Sequence, residues 1–290
     1  MKHLLKIFLM LLVSTAIYLS CSDSSNPGMP LPFGDDFSYP LKVGNKWSYD
    51  REWSNFNFRP DSAGTDFPFT DTTLYTKAEV FVDREEILMD SIITSVVITK
   101  DIENSMNFTS SHFYQNTDDG LFILAYDRGG SSISYPKMIS NFTDDILIGS
   151  LESFQRISSL HGILSSVNKI ISDTLRYEDP PVQSFKYPFK QDQEWTYRND
   201  YFIINKKVIG TEKVELPAGS FDCWKVQWIY DFANTGFNFG NITLYDYISS
   251  KGLIKRTLHI KDARISDINN PDGGGLVDSK EEIVLTGINF

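Results

Sequence analysis

Apolar and polar residues alternate along most of this chain. Leu74, Thr76, Ala78, Val80 and Val82 fall on one face of an extended segment, and Trp224, Val226, Trp228 and Tyr230 on one face of another. Successive side chains of a strand point to opposite sides, so this period of two predicts half-buried strands. The same reading predicts strands over 47–58, 121–126, 242–248, 253–260 and 281–290, with a returning strand or strands within 86–100. Turn chemistry separates them: Asp83-Arg84, Asn116-Thr117-Asp118-Asp119-Gly120, Ser249-Ser250-Lys251-Gly252 and Asp272-Gly273-Gly274-Gly275. The strongest hairpin signal is Pro217-Ala218-Gly219 between 208–216 and 221–230. Proline presets φ for a turn and the following glycine can take a positive φ. One stretch departs from the pattern. Between Leu151 and Ile171, Phe154, Ile157, Leu160, Leu164, Val167 and Ile171 recur at steps of three and four, which predicts a helix. Gly162 inside it costs about 1 kcal/mol relative to Ala. The expected fold is mainly β, with curved antiparallel sheets in two related halves, half-barrel-like, and a helical connection between them.

The halves are suggested by a repeated stretch. Tyr39-Pro40-Leu41-Lys42-Val43-Gly44-Asn45-Lys46-Trp47-Ser48-Tyr49 returns without a gap as Tyr187-Pro188-Phe189-Lys190-Gln191-Asp192-Gln193-Glu194-Trp195-Thr196-Tyr197. Tyr-Pro holds the chain extended. Gly44 offers a positive φ, and Asp192 in the second copy tolerates that region better than most residues. Each copy therefore reads as a turn followed by the first strand of its half, with Trp and Tyr facing a core. Gly252-Leu253-Ile254 echoes Gly120-Leu121-Phe122 in the same way. The halves are assigned to 37–135 and 185–290, and the helical connection to 136–184.

The N-terminus changes the picture from a fold to a location. Lys2 and Lys6 precede an apolar run from Ile7 to Val13, too short to cross a bilayer, which takes about 20 residues. This is the pattern of a secretory signal over 1–20. Ser20 before Cys21 resembles a bacterial lipobox, although Tyr18 stands where Leu is usual. That resemblance implies cleavage before Cys21, lipidation of its thiol and new amino group, and firm anchoring to a membrane. The alternative is an ordinary signal peptide in which Cys21 is incidental. Ser22 after the cysteine is compatible with sorting to the outer membrane. Residues 21–36 are rich in Ser, Asp, Asn, Gly and Pro up to Pro32 and read as a flexible tether.

Without residues 1–20 the chain carries 25 Lys and Arg against 38 Asp and Glu, a net charge of −13. That excludes nucleic acid as a partner and electrostatic adhesion to anionic lipid. The only other cysteine is Cys223, so stability rests on the core and no intrachain disulfide is expected.

Catalytic motifs are missing: no His-Glu-x-x-His, Gly-x-Ser-x-Gly, phosphate-binding Gly-x-x-x-x-Gly-Lys or paired Cys-x-x-Cys occurs. His112, His161 and His259 lack ligand spacing. Adjacent carboxylates such as Glu281-Glu282 point to opposite faces of a strand and make no catalytic pair. The loop with Asp267, Asn269, Asn270, Asp272 and Asp278 has calcium-like oxygens, but Pro271 breaks the EF-hand spacing and no glutamate closes it. Neither metal nor cofactor is expected. Asn55-Phe56-Asn57-Phe58 and Gly236-Phe237-Asn238-Phe239-Gly240-Asn241 interleave rings with amides, a composition able to stack on sugars or line an apolar groove. A ligand site is accordingly expected at Trp53, Phe58, Phe237 and Phe239, for a hydrophobic molecule, a glycan or another envelope protein. The expected function is a non-catalytic binding or structural module; the alternative is a hydrolase whose site is assembled from scattered residues.

Several of these stretches together carry a family resemblance. The signal and Cys21, the Tyr39–Trp47 stretch, Gly210-Thr211-Glu212 leading to Leu216-Pro217-Ala218-Gly219-Ser220-Phe221, Asp179-Pro180-Pro181 and Lys251-Gly252-Leu253-Ile254-Lys255 resemble a group of uncharacterised bacterial lipoproteins with a β-rich domain of unknown function. The resemblance covers most of 39–260 and implies fold and location, with no active site to carry over. A looser similarity, at the level of fold, is to the half-barrel of lipoprotein carrier proteins, where a curved sheet wraps a helix around an apolar cavity.

Overall fold

A computed structural model describes residues 32–60, 71–103, 106–127, 175–199, 203–231, 241–266 and 274–290. It contains twelve strands: β1 (Lys46–Pro60), β2 (Thr72–Leu88), β3 (Ile92–Glu103), β4 (Met106–Thr117), β5 (Gly120–Asp127), β6 (Arg176–Lys186), β7 (Glu194–Asn199), β8 (Ile203–Leu216), β9 (Gly219–Asp231), β10 (Asn241–Ser249), β11 (Gly252–Ser266) and β12 (Gly274–Asn289). All lie in one antiparallel sheet, in the order β6-β5-β4-β3-β2-β1-β12-β11-β10-β9-β8-β7. The chain thus makes two six-strand meanders, β1–β6 and β7–β12, joined where β1 pairs with β12.

The two halves expected from the repeat therefore share one sheet. Its edge strands, β6 and β7, come close again: Trp195 on β7 donates its indole N–H to the Gln183 carbonyl on β6 at 3.1 Å. The sheet is a nearly closed barrel. It does not close by a backbone ladder because β6 carries Pro180 and Pro181, which have no N–H to donate, and proline in a sheet belongs at an edge. Tryptophan and valine fill the interior, with Trp47, Val226, Trp228, Leu244 and Leu285 buried together. The outward positions of β1 read Lys46, Ser48, Asp50, Glu52 and Ser54, the reverse of the apolar band a membrane-spanning barrel shows to lipid.

Several expectations need correction. Asp83-Arg84 is no turn: β2 runs on through it with a bulge between Val82 and Arg84, and the chain reverses at Met89–Ser91. A bulge absorbs one extra residue without ending a strand, so a charged pair in mid-strand imitates a turn. Residues 176–184, placed in the helical connection, are strand β6; the helix expected within 151–171 lies outside the described residues. The closing strand begins at Gly274, where Gly275 lies against Arg59 and Pro60 so closely that a Cβ would strike the Arg59 carbonyl.

The strand ends form two rims. At one, the chain turns at 89–91, 118–119, 187–193, 217–218 and 250–251, and residues 32–45 run across it. Phe33 stacks on Phe37 with ring centroids 3.8 Å apart and meets Phe189 and Trp224. Residues 32–36 of the expected tether thus line this sealed rim. The connections at the opposite rim, other than through the strand ends themselves, lie outside the described residues.

Candidate functional site

The repeated motif builds the sealed rim. In the first copy the Gly44 N–H donates to the Val82 carbonyl (2.9 Å), the Asn45 N–H to Lys42 (3.0 Å) and the Val82 N–H to Asn45 (2.9 Å). In the second, Asp192 donates to Val208 (2.8 Å), Gln193 to Lys190 (3.0 Å) and Val208 to Gln193 (2.9 Å). Gly44 and Asp192 both take a positive φ, 94° and 62°. The tyrosines interlock the copies. The Tyr187 hydroxyl accepts the Tyr39 N–H at 2.9 Å and donates to Asn116 Oδ1 at 3.1 Å, while Asn116 Nδ2 returns a bond to the Tyr39 carbonyl at 2.8 Å. The Tyr39 hydroxyl in turn accepts the Leu253 N–H at 3.2 Å. Gly252 has to be glycine there: its φ is +97°, and a Cβ would sit 2.8 Å from that hydroxyl. Burial pushes both phenols well above the ordinary tyrosine range, which keeps them neutral as hydrogen-bonding groups.

Further along the interior lies a belt of six residues on six successive strands, five of them charged: Lys206 on β8, Trp228 on β9, Asp246 on β10, Arg256 on β11 and Glu281 on β12, all buried, and the half-buried Arg51 on β1. Asp246 accepts three donors, from Arg256 Nε (2.5 Å), Arg256 Nη2 (2.8 Å) and Trp228 Nε1 (2.7 Å). Arg51 pairs with Glu281. Lys206 donates to the Ser184 carbonyl on β6 at 3.0 Å and lies over the rings of Trp228 and Tyr197, 3.7 and 4.2 Å from their centroids. A desolvated cation over aromatic faces gains about 2 kcal/mol or more. The belt fixes the wall of the barrel, and its donors and acceptors are turned on one another.

Trp53 and Phe58 sit toward the opposite rim. Trp53 is half-buried, donating to Ser279 Oγ at 3.0 Å; Phe58 is half-buried against the main core. Beside them Arg59 bridges Asp278 (2.8 Å) and Asp262 (2.6 Å), and Asn57 adds a bond to Asp278. The Arg59 guanidinium holds the Asp278 carboxyl well below the usual carboxylate range. Asp278, the one calcium-like oxygen donor of that group among the described residues, is thus engaged by an arginine. Neither Trp53 nor Phe58 lines either of two clefts, of about 570 and 310 Å³, on the described surface. Phe237, Phe239 and Cys21 lie outside the described residues. Cys223 is buried, its thiol pushed up to about 12 by burial, which favours the protonated form at neutral pH. Glu281 and Glu282 do point to opposite faces, the first to Arg51 inside and the second to Lys255 outside.

The belt was not foreseen from the sequence, yet it leaves a signal there. Three of its charges occupy inward slots between buried apolar neighbours two residues away: Ile204 and Val208 around Lys206, Leu244 and Ile248 around Asp246, Ile254 and Leu258 around Arg256.

A DUF3108-like family model matches residues 175–259. The matched stretch runs from β6 into β11 and holds the second Tyr-Pro copy, the Pro217 hairpin and four members of the belt. The chain is also similar to two solved structures. One is a candidate lipoprotein from Parabacteroides distasonis, at 18% identity and a TM-score of 0.35, covering 87% of this chain and 98% of that one. The other is a candidate exported protein with a YmcC-like fold from Bacteroides fragilis, at 10% identity and a TM-score of 0.31, covering 88% and 99%. No curated protein matches the chain.

Proposed function

We propose that this protein is a bacterial envelope lipoprotein, anchored to the outer membrane through lipidated Cys21, which serves as a non-catalytic binding or structural module. The observation that carries the reading is the course of the chain after the tether. Residues 32–45 leave the tether and close one rim of the barrel with Phe33, Phe37 and Tyr39, so the anchored end is the sealed one. The opposite rim, with Trp53, Phe58 and the Arg59–Asp278 pair, then faces the aqueous compartment. A hydrophobic molecule, a glycan or an envelope protein would meet Trp53 and Phe58 there, together with Phe237 and Phe239. The matched bonds of Gly44 and Asp192 support reading the two meanders as copies of one plan.

Two measurements test this. Cys21→Ala should move the protein from the membrane pellet to the soluble fraction; retention in the pellet removes the anchor. Native mass spectrometry of envelope-extracted protein should find an added mass that is lost in Trp53→Ala. An added mass that survives both Trp53→Ala and Phe58→Ala removes this rim as the binding site.

A further inference from the structure

Five of the seven exposed large hydrophobic side chains on the described surface, Val43, Ile87, Met89, Ile93 and Phe290, stand at the sealed rim; the other two, Tyr75 and Tyr177, lie toward the opposite ends of β2 and β6. Three of the five form the tip of the β2–β3 hairpin, which runs past the first residue of β1: Lys46 pairs with Phe81 and Val82 bonds to Gly44 and Asn45, leaving residues 83–88 to extend beyond. Ile87 and Ile93 are direct cross-strand partners, 63% and 61% exposed, with Met89 in the turn between them at 49%.

Two features set this tip apart from an ordinary exposed hairpin. First, both of its faces are apolar. Leu88 and Ile92 pack on one side with Val96, Phe113 and Leu124, and a strand with one packed face normally shows polar residues on the other. Ile87 and Ile93 break that rule. Second, Met89 takes a φ of 51° and Asp90 one of 63°. Positive φ at a tight turn favours Gly, Asn or Asp, and a large aliphatic side chain there is uncommon. An apolar side chain is thus carried in the turn of the hairpin, beside the exposed Asp90, where local conformation favours a small polar one.

The chain that precedes the rim says what the tip faces. Residues 22–31 separate Cys21 from Pro32. Ten residues reach at most about 35 Å. An acyl anchor at Cys21 therefore keeps the sealed rim close to the bilayer and raises the local concentration of lipid around it. The mature net charge of −13 disfavours adhesion to an anionic surface, while aliphatic side chains at a tip suit the boundary between headgroups and acyl chains.

We infer that the β2–β3 hairpin tip, Ile87, Met89 and Ile93, docks into the lipid surface that holds the anchor, so that the barrel stands on the membrane by its sealed rim. This rests on the anchoring proposed above. The test uses the full lipidated chain with a solvatochromic dye attached at Met89→Cys or, as a control, at Tyr75→Cys on the barrel wall. Both are mixed with neutral vesicles of phosphatidylcholine and phosphatidylethanolamine. The expected result is a blue shift for the dye at 89 and none at 75, abolished by the further change Ile87→Asn/Ile93→Asn while flotation with the vesicles persists. A chain that floats with an unshifted dye at 89 overturns the docking and leaves the anchor standing. A chain that does not float overturns both. A shift at 89 that needs no vesicles and grows with protein concentration assigns the tip to a second copy of the chain and overturns lipid docking.

Discussion

The barrel has two seams between its meanders, and they are held by different physics. At the first, β1 and β12 exchange a ladder of backbone bonds from Lys46↔Asn289 to Pro60↔Gly275, interrupted by two register shifts. At the second, β6 and β7 meet without a ladder among the described residues, and side chains do the joining. Trp195 reaches the Gln183 carbonyl, Lys206 reaches the Ser184 carbonyl, and Arg198 forms an ion pair with Glu178. The same motif opens the first strand at each seam, so the difference does not come from the motif. It comes from the partner strand. β12 offers an unbroken run of N–H donors, whereas β6 carries two prolines. A sheet can thus be almost closed with one seam zipped by its backbone and the other fastened by longer side chains, which hold position without fixing a register.

Equivalent substitutions should therefore cost unequal amounts at the two seams. Trp47 and Trp195 are the matched tryptophans, each buried and each donating to a carbonyl. Removing a buried tryptophan side chain costs about 3–5 kcal/mol. Trp47→Ala, in the middle of the sheet, should fall at the upper end of that range in urea denaturation and Trp195→Ala at the lower. Equal losses would mean that the seams are energetically alike.

Next come the cross-seam ion pairs. Arg51→Ala strands the buried Glu281 carboxylate and should cost about 3–4 kcal/mol, as breaking one partner of a buried pair does. Arg198→Ala leaves Glu178 with more access to solvent and should cost about 1–2 kcal/mol. Amide hydrogen exchange sharpens the contrast: Arg198→Ala should loosen β6 and β7 alone, and Arg51→Ala the whole sheet.

A smaller effect is a dependence on pH at the zipped seam. Arg59 on β1 depresses the folded-state pKa of Asp278 on β12 below its unfolded value. Its stabilisation is complete above the ordinary aspartate pKa of about 3.9 and is lost as pH falls through the folded value. Thermal melting should show the wild type losing stability below about pH 4 more steeply than Arg59→Gln. Parallel curves would remove this pair from the seam's stability.

The smallest effect compares the two positive-φ residues of the motif. Gly44→Ala meets no neighbouring atom and should cost about 1 kcal/mol from φ alone. Asp192→Gly relieves the same region but frees the unfolded chain, so the two terms oppose and the net change should stay within about 0.5 kcal/mol. A large loss on Asp192→Gly would show that its side chain, which pairs with Lys207 at 3.3 Å, matters more than its backbone.

What was legible in the sequence is what a few neighbouring residues decide. Alternation placed the strands around Trp47, Val80 and Trp228, because side-chain direction in an extended chain depends only on position. The positive φ at Gly44 and Asp192 and the Pro217 hairpin followed from backbone sterics within single residues. The inward stripe Trp224, Val226, Trp228 was visible for the same reason. Tertiary structure alone decided the rest. Nothing local says that β12 returns to pair with β1, since that contact joins residues more than two hundred positions apart. Nothing local turns the Pro180-Pro181 stretch into an edge strand; it becomes one because β5 lies beside it. The buried charges are tolerated only because a partner arrives from elsewhere: Arg51 finds Glu281 across 230 positions, and Lys206 finds its aromatic faces on β7 and β9. Backbone conformation and side-chain parity are properties of short segments. Strand partnership and the neutralisation of buried charge are properties of the closed sheet, and they exist only once distant segments have met.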